Sequence, residues 1–336
     1  MKPRVAVVNS KSFGKISNTI NKLTERCILN QVEVPKDIVE VELAERLNGY
    51  HFIIASVTPY YGEEFFKANK DIVMIVRHGI GLDNIDLKAA GEHGVKIAAV
   101  PGYREREAVA EYAVTLMLTA LRRVVEANEA VEKGRWAERA KFISRDISNL
   151  TVGIIGFGNI GSRVAEILIK GFGAKVIAYD PYVSEDKIRT FEAIPVLSID
   201  ELLEKSDIVT IHASLNPGTF HILNRERLKK LKKGAIIVNT ARAELIDQNA
   251  LIEVIEDGTV STAALDVVEK EPIEPGHPLL KYSNVVITPH IAAYTREALI
   301  AMDETVAEAI LSYLDNKPIE GLVVDPKKSR KLTDKQ

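Results

Sequence analysis

Val152-Gly153-Ile154-Ile155-Gly156-Phe157-Gly158-Asn159-Ile160-Gly161 decides the fold. Its first four residues read as a buried strand, and Ile160 to Phe172 as the helix that follows. Between them Gly156, Gly158 and Gly161 make G-x-G-x-x-G, the pattern of a dinucleotide-binding βα turn. The first glycine makes the tight turn, the second lets backbone approach a pyrophosphate, and the third lets helix and strand pack closely. The helix N-terminus, with Asn159 and Ile160 in its first turn, offers N–H groups and a positive dipole end to the phosphates. The next strand, Lys175–Tyr179, ends in Asp180, 19 residues past Gly161. An acidic residue about 20 positions on bonds the ribose hydroxyls. Its charge repels a 2′-phosphate, so NAD is expected rather than NADP.

Outward from this stretch, short β-branched runs alternate with helical patterns, which predicts α/β architecture with parallel sheets. Strands are expected at Val5–Val8, Phe52–Ser56, Ile72–Val76 and Val95–Ala99. A second series follows at Val152–Ile155, Lys175–Tyr179, Ile208–Ile211, Ile236–Asn239, Thr262–Leu265 and Val285–Ile287. Helices are expected at Val39–Leu47, Glu63–Asn69, Leu87–His93 with Asp86 as its cap, and Arg296–Leu314. One long helix, apolar nearly all round, is expected from about Arg104 to Lys133, followed by a loop or arm from Trp136 to Ser148. Lys11–Asn30 gives no clear pattern. The polar, basic residues Lys327 to Gln336 read as a frayed tail.

Composition limits the function. The 336 residues suit two domains, and 46% are hydrophobic. A net charge of −3 argues against a nucleic-acid partner. No apolar run reaches the length of a membrane span. The single Cys27 excludes an intrachain disulfide and any multi-cysteine metal site, and it fits a reducing cytoplasm. No metal is expected.

Three side chains at predicted strand ends suit hydride exchange with a keto acid. Arg242 follows Ile236–Asn239, and a planar, always charged guanidinium can clamp a carboxylate with two hydrogen bonds. His290 follows Val285–Ile287 and can act as a general acid/base. Glu271 follows the strand ending at Leu265; beside His290 it would stabilise the imidazolium, although spacing alone does not bring them together.

These residues resemble the D-isomer-specific 2-hydroxyacid dehydrogenase family, over about residues 3 to 325. Five stretches carry the resemblance in family order: Gly79-Ile80-Gly81-Leu82-Asp83-Asn84-Ile85-Asp86; Gly156 to Gly161 with Asp180; Asn239-Thr240-Ala241-Arg242; Ala264-Leu265-Asp266-Val267 with Glu271-Pro272; and Thr288-Pro289-His290. The resemblance implies that Arg242 binds the substrate carboxylate and carbonyl, that His290 is the acid/base, and that Glu271 is its partner. Asp266 would contact the nicotinamide carboxamide, and Ala241 would lie against the cofactor. The amides of Ile80 and Gly81 would cradle the carboxylate as a nest, with Arg77 beside them.

The family likeness also implies two Rossmann-like, doubly wound parallel-sheet domains, the cofactor domain inserted into the substrate domain. Residues 1–100 with 293–336 would form the substrate domain, and 101–292 the NAD-binding domain, with the active site in the cleft. A homodimer would pair through an arm at about 105–148. Two departures from the family pattern are Ala243, where glycine is usual, and Ser214, where proline is usual. The formate dehydrogenase branch carries glutamine at the position of Glu271, and a carboxylate suits proton transfer instead. An NAD-sensing module like the C-terminal-binding corepressors shares the motifs and is the alternative reading. The substrate remains open among 3-phosphohydroxypyruvate, hydroxypyruvate, glyoxylate and pyruvate-like acids. Arg77, Arg104, Arg106 and Arg135 are the cations that a phosphate could use. The chain is also shorter than phosphoglycerate dehydrogenases that carry an added regulatory domain.

Overall fold

A computed structural model describes residues 2–332. The chain forms two compact units, one made of residues up to Glu105 together with those from Tyr294 on, the other of Arg106–Ala293.

The first unit opens with β1 (Arg4–Val8), α1 (Thr19–Arg26), β2 (Ile28–Val32), α2 (Glu40–Arg46), β3 (Phe52–Ala55), α3 (Glu63–Ala68), β4 (Met74–Arg77), α4 (Leu87–Glu92) and β5 (Lys96–Ala99). Every residue of β3 and β4 is buried, as strands covered on both faces must be. Asp86 caps α4 by accepting from the Ala89 amide at 2.9 Å, as expected.

The second unit begins with α5 (Arg106–Arg122) and α6 (Val124–Glu132). Its sheet contains β6 (Thr151–Ile155), β7 (Lys175–Tyr179), β8 (Ile194–Pro195), β9 (Ile208–Ile211), β10 (Ala235–Asn239), β11 (Val260–Leu265) and β12 (Val285–Ile287). The connecting helices are α7 (Asn159–Phe172), α8 (Glu185–Arg189), α9 (Ile199–Lys205), α10 (Arg225–Leu228) and α11 (Gln248–Glu256). The chain then returns to the first unit with α12 (Arg296–Leu314) and β13 (Leu322–Val324).

The first sheet has the order β13-β5-β4-β3-β1-β2, parallel except for β13, which pairs antiparallel with β5. The second has the order β12-β11-β10-β9-β6-β7-β8 and is parallel throughout. In each, the winding reverses once, between β1 and β3 and between β6 and β9. Ligands of open α/β sheets bind outside the carboxyl ends of the strands at such switch points. Among the described residues no helix is long and apolar enough to cross a membrane.

Two expectations need correcting, the single long helix and the frayed tail. The long helix is broken: Arg123 takes a left-handed conformation (φ 49°), and its guanidinium holds Glu126 and the Lys141 carbonyl. Nine residues of α5 are buried, whereas α6 buries only Ala130. The arm after α6 contains two 3-10 turns, Trp136–Phe142 and Ile147–Asn149.

The unreadable segment Lys11–Asn30 contains α1 and most of β2, an edge strand with no fully buried residue.

The tail is docked as far as it is described; residues 333–336 lie outside the described range. Arg330 donates from Nε to the His93 carbonyl, from Nη1 to those of Asn69 and Ile72, and from Nη2 to that of Phe66. Its amide bonds the Gly94 carbonyl, and its own carbonyl accepts from the Tyr313 hydroxyl. One guanidinium thus satisfies carbonyls left over at and beyond the ends of α3 and α4. Arg330→Ala should therefore lower stability by about 1.5–3 kcal/mol, the range for hydrogen bonds to a charged group. Urea denaturation measures this; a loss below about 0.5 kcal/mol, the usual surface value, would mean that the tail carries no load.

Candidate functional site

In the second unit, five neighbouring strands present their carboxyl ends in the order β12, β11, β10, β9, β6. The glycine loop follows β6. Gly156 has φ +90°, and a Cβ there would lie 2.6 Å from the Ala213 amide nitrogen and 2.7 Å from the His212 carbonyl carbon. At Gly161 a Cβ would sit 2.0 Å from the Gly156 carbonyl oxygen, so only glycine allows this packing of helix on loop. Gly158 differs: the space where its Cβ would go is open. It precedes α7 and has no side chain to cap it, so that helix end is shaped to receive an anion.

Asp180 closes β7. Its Oδ2 accepts from the Phe157 amide at 2.7 Å and its Oδ1 from the Tyr182 amide at 2.8 Å. These bonds fix the carboxylate against the glycine loop and use two of its roughly four lone-pair sites. Lone pairs therefore remain for a ribose diol.

His212 follows β9. Its amide donates to the Ile155 carbonyl at 2.7 Å, and Nε2 lies 3.0 Å from Thr210 Oγ1. Desolvation pushes the imidazole down to about 3, so it is neutral throughout the physiological range. Ser214, in place of the usual proline, accepts on its carbonyl from the Thr219 hydroxyl at 2.7 Å.

Arg242 follows β10. Asn239, the last residue of that strand, is buried and shapes the turn; Oδ1 accepts from the Ala241 amide at 2.9 Å and Nδ2 donates to the Arg242 carbonyl at 2.7 Å. The Arg242 guanidinium donates from Nη1 to the Ala241 carbonyl at 2.7 Å. Ala243 opens a right-handed 3-10 turn, Ala243–Leu245, which a residue with a Cβ adopts without strain. Among the described residues the buried Thr240 hydroxyl has no hydrogen-bond partner. An orphaned polar group costs about 1–3 kcal/mol, and its place beside Ala241 fits a bound polar ligand.

Asp266 follows β11 and is 1% exposed. Its Oδ1 accepts from Thr288 Oγ1 at 2.6 Å and the Ile291 amide at 3.0 Å, and its Oδ2 from the Ala292 amide at 2.8 Å. Its carbonyl accepts from the His290 amide at 2.9 Å. These four bonds hold the loop after β12, in which His290 sits at φ 55°. That strained conformation costs on the order of 1 kcal/mol and persists only where neighbours impose it.

The held imidazole places Nδ1 2.8 Å from Glu271 Oε2. Glu271 is itself fixed by the Val268 amide, 3.2 Å from Oε1. His290 and Glu271 side chains are 33% and 31% exposed, so the pair is reachable from solvent.

The sequence candidates for holding a carboxylate lie in the first unit, at the end of β4 and just after it. Gly79 has φ +140° and its carbonyl accepts from the Val100 amide at 3.2 Å. Ile80 and Gly81 are half-buried. Arg77 is 4% exposed and lies beneath the loop, with Nη1 on the His78 carbonyl and a Cβ at Gly79 blocked at 2.7 Å by that same Nη1. The other cations face carboxylates: Arg104 with Glu320 at 3.2 Å, Arg106 with Glu107 at 2.7 Å, and Arg135 with Glu138 at 3.7 Å.

Sequence reasoning missed two roles. Asp266 as the anchor of the His290 loop depends on burial, which its motif does not reveal. The neutral state of His212 depends on desolvation, which its place in the sequence does not reveal.

The profile of the D-isomer specific 2-hydroxyacid dehydrogenase NAD binding domain matches residues 114–292. A glyoxylate reductase of Korarchaeum cryptofilum is 34% identical, covering 93% of each chain. A D-3-phosphoglycerate dehydrogenase of Archaeoglobus fulgidus is 38% identical across 87% of this chain, but only 55% of that protein is spanned. The crystal structure of a glyoxylate reductase from Paecilomyes thermophila superposes with a TM-score of 0.82 at 30% identity, covering 96% of this chain and 99% of that one.

The His212 environment sets a pH dependence. Its folded value of about 3 lies below the unfolded 6.5, so between these values the unfolded chain binds the extra proton. Stability from this group is therefore complete above about pH 6.5 and declines as pH falls. From pH 7.5 to 5 the stability advantage of the parent over His212→Gln should shrink by about 1–2 kcal/mol, taking 1.36 kcal/mol per pH unit. Urea titrations at the two pH values measure it; an unchanged advantage would contradict a desolvated, neutral imidazole.

Proposed function

The chain belongs to the D-isomer specific 2-hydroxyacid dehydrogenase family of NAD-dependent oxidoreductases, and we propose that it interconverts a small, unphosphorylated 2-keto acid and its D-2-hydroxy acid. The observation that carries the reading is the row of Arg242, Asp266 and His290 at the carboxyl ends of three adjacent parallel strands, with Glu271 2.8 Å from His290. NADH, when bound, would supply the hydride; Gly156, Gly158, Asn159, Ile160 and Gly161 would hold its phosphates and Asp180 its adenosine ribose, while Ala241, Thr240 and Asp266 would line its nicotinamide end.

Arg242 grips the substrate carboxylate and polarises the carbonyl. In reduction His290 begins as imidazolium and gives a proton from Nε2 to the carbonyl oxygen; in oxidation it begins neutral and takes that proton back. Glu271 occupies Nδ1, which orients the ring and balances its charge. The amides of Ile80 and Gly81 bind the carboxylate, and Arg77 supports them from beneath. Arg106–Ala293 acts as the cofactor domain and the other unit as the substrate domain.

Two further features are part of the proposal. Val124, Val125, Val131, Trp136 and Ile143 are exposed on α6 and the arm, which suits pairing of two copies. A lone, buried Cys27 suits a reducing, cytoplasmic compartment.

Substrate size follows from the cations. A phosphate dianion needs arginines that can turn toward it, and Arg104 and Arg106 are each engaged by a carboxylate while Arg77 is buried. Glyoxylate or hydroxypyruvate should thus exceed 3-phosphohydroxypyruvate in kcat/KM by at least about tenfold, a difference of 1.4 kcal/mol. Steady-state rates with NADH decide this, and the reverse order would identify a phosphate site.

The chemical roles are tested by substitution. His290→Gln should lower kcat about 10²–10⁴-fold, the usual worth of general acid–base catalysis, while NADH binding stays within twofold. Arg242→Lys should raise the keto acid KM, because an ammonium cannot reproduce the bidentate fork. Parental rates in either variant would reassign the roles. Nucleotide binding without turnover by the parent would favour a sensing module.

Cofactor choice gives an independent check. The parent should prefer NADH over NADPH strongly, and Asp180→Ala should narrow that preference about tenfold or more by removing the charge that faces a 2′-phosphate. Equal kcat/KM with both nucleotides in the parent would exclude the proposed role of Asp180.

A further inference from the structure

The first unit contains a buried polar network that none of the roles above uses. Ser10 Oγ lies 2.9 Å from His78 Nδ1, and His78 Nε2 lies 2.9 Å from Asp303 Oδ1. Asp303 Oδ2 accepts from the Gly14 amide at 2.9 Å and from Ser17 Oγ at 2.5 Å. The Phe13 ring packs edge-on against the imidazole, with centroids 5.6 Å apart. Ser10, His78 and Asp303 are 3%, 7% and 0% exposed. The order serine, histidine, aspartate has the form of a hydrolytic triad. Burial excludes that use, because no acyl group reaches a serine hydroxyl sealed in the interior.

Position explains the network better. His78 immediately precedes Gly79-Ile80-Gly81, the segment whose amides are proposed to bind the substrate carboxylate. Its amide donates to the Ala55 carbonyl at 2.9 Å, and its carbonyl accepts from Arg77 Nη1. The side chain then ties this residue to two other elements, the loop after β1 and the helix α12. A nest binds an anion well only while consecutive amides stay aligned. Misplacement of a binding group by 1 Å can cost on the order of a hundredfold in rate.

We propose that Asp303, His78 and Ser10 are positioning residues that hold the Gly79–Gly81 amides in register for a substrate carboxylate, a proposal that rests on the nest reading above. Asp303 anchors Nε2, whose proton it accepts, and this fixes the ring plane. Ser10 then holds Nδ1 from the opposite side. With both nitrogens held, the imidazole cannot rotate, and the backbone that continues from it is set.

The experiment measures kcat, the KM for glyoxylate, the dissociation constant of oxamate (a carboxylate analogue of the substrate) in the presence of NADH, and the dissociation constant of NADH itself. The variants are Asp303→Asn, Ser10→Ala and Ser17→Ala. Asp303→Asn should raise the glyoxylate KM and weaken oxamate about tenfold, with smaller effects in the same direction for the two serine variants. Values of kcat and NADH affinity should stay within twofold. The serine variants remove single hydroxyls, so they remain informative where Asp303→Asn does not fold.

Arg330→Ala controls for general loosening of the same unit, and it should lower stability without moving the KM. An unchanged glyoxylate KM in folded Ser10→Ala and Ser17→Ala, while Arg242→Lys raises it, would overturn this proposal and leave the reaction intact. A parent that turns over no keto acid would overturn both. A KM that rises equally in Arg330→Ala would also overturn it, since the effect would then be ordinary destabilisation.

Discussion

A carboxylate removed from water costs several kcal/mol unless hydrogen bonds replace its hydration, and this protein turns that demand into architecture. Asp266 and Asp303 are both essentially inaccessible, and each is satisfied by groups from loops that would otherwise be loose. Asp266 gathers Thr288, Ile291 and Ala292, so the peptide carrying His290 has one place to be. Asp303 gathers Gly14, Ser17 and His78. The strain at His290 is affordable only because the acceptor beneath it is held at the end of β11, a strand paired on both sides. The parallel sheets supply the rest, since within each sheet the loops that follow its parallel strands leave from one edge.

The same constraint separates the histidines by role. His212 and His290 both follow strands of one sheet, yet their surroundings differ in kind. His212 is desolvated and its ring meets a threonine hydroxyl, so its charge is suppressed. His290 is partly open to water and meets a carboxylate, so a proton can arrive, be balanced and leave. A general acid needs the second setting; the first suits a neutral filler beside the glycine loop. Residue type alone does not distinguish the two, and neither does the strand-end position they share.

What could be read from the chain without its structure follows from this. The glycine loop, Asp180 and the strands that end in Arg242 and His290 were legible because each joins a strong local pattern to a turn residue. Strand limits held to within two residues, and Lys175–Tyr179 matched throughout. Of the four edge strands, β2, β8 and β13 were not legible, whereas β12 was read at its observed limits. In β2, Asn30 and Gln31 interrupt the apolar pattern because no second layer covers them, and β13 has three residues whose partner lies more than two hundred positions away. The break at Arg123 was hidden because the apolar pattern continues through Val124 and Val125, which are in fact exposed. Charge misled the reading of the tail, where Arg330 is basic yet occupies a ring of carbonyls. His78 was passed over because its two partners are 68 residues upstream and 225 downstream.

The antiparallel seam between β5 and β13 has a consequence for biosynthesis. β5 is complete at Ala99, while the strand that covers its edge begins at Leu322 and the arginine latch follows at position 330. A ribosome adding about 5–20 residues per second needs on the order of 10–50 s to cross that interval. During this time the uninterrupted segment Arg106–Ala293 is released whole and can complete its own sheet, whereas the earlier-made portion waits with the polar edge of β5 unpaired. Such an edge templates wrong pairings. Until β13 has been made, the edge of β5 is thus a place where a nascent chain can pair wrongly.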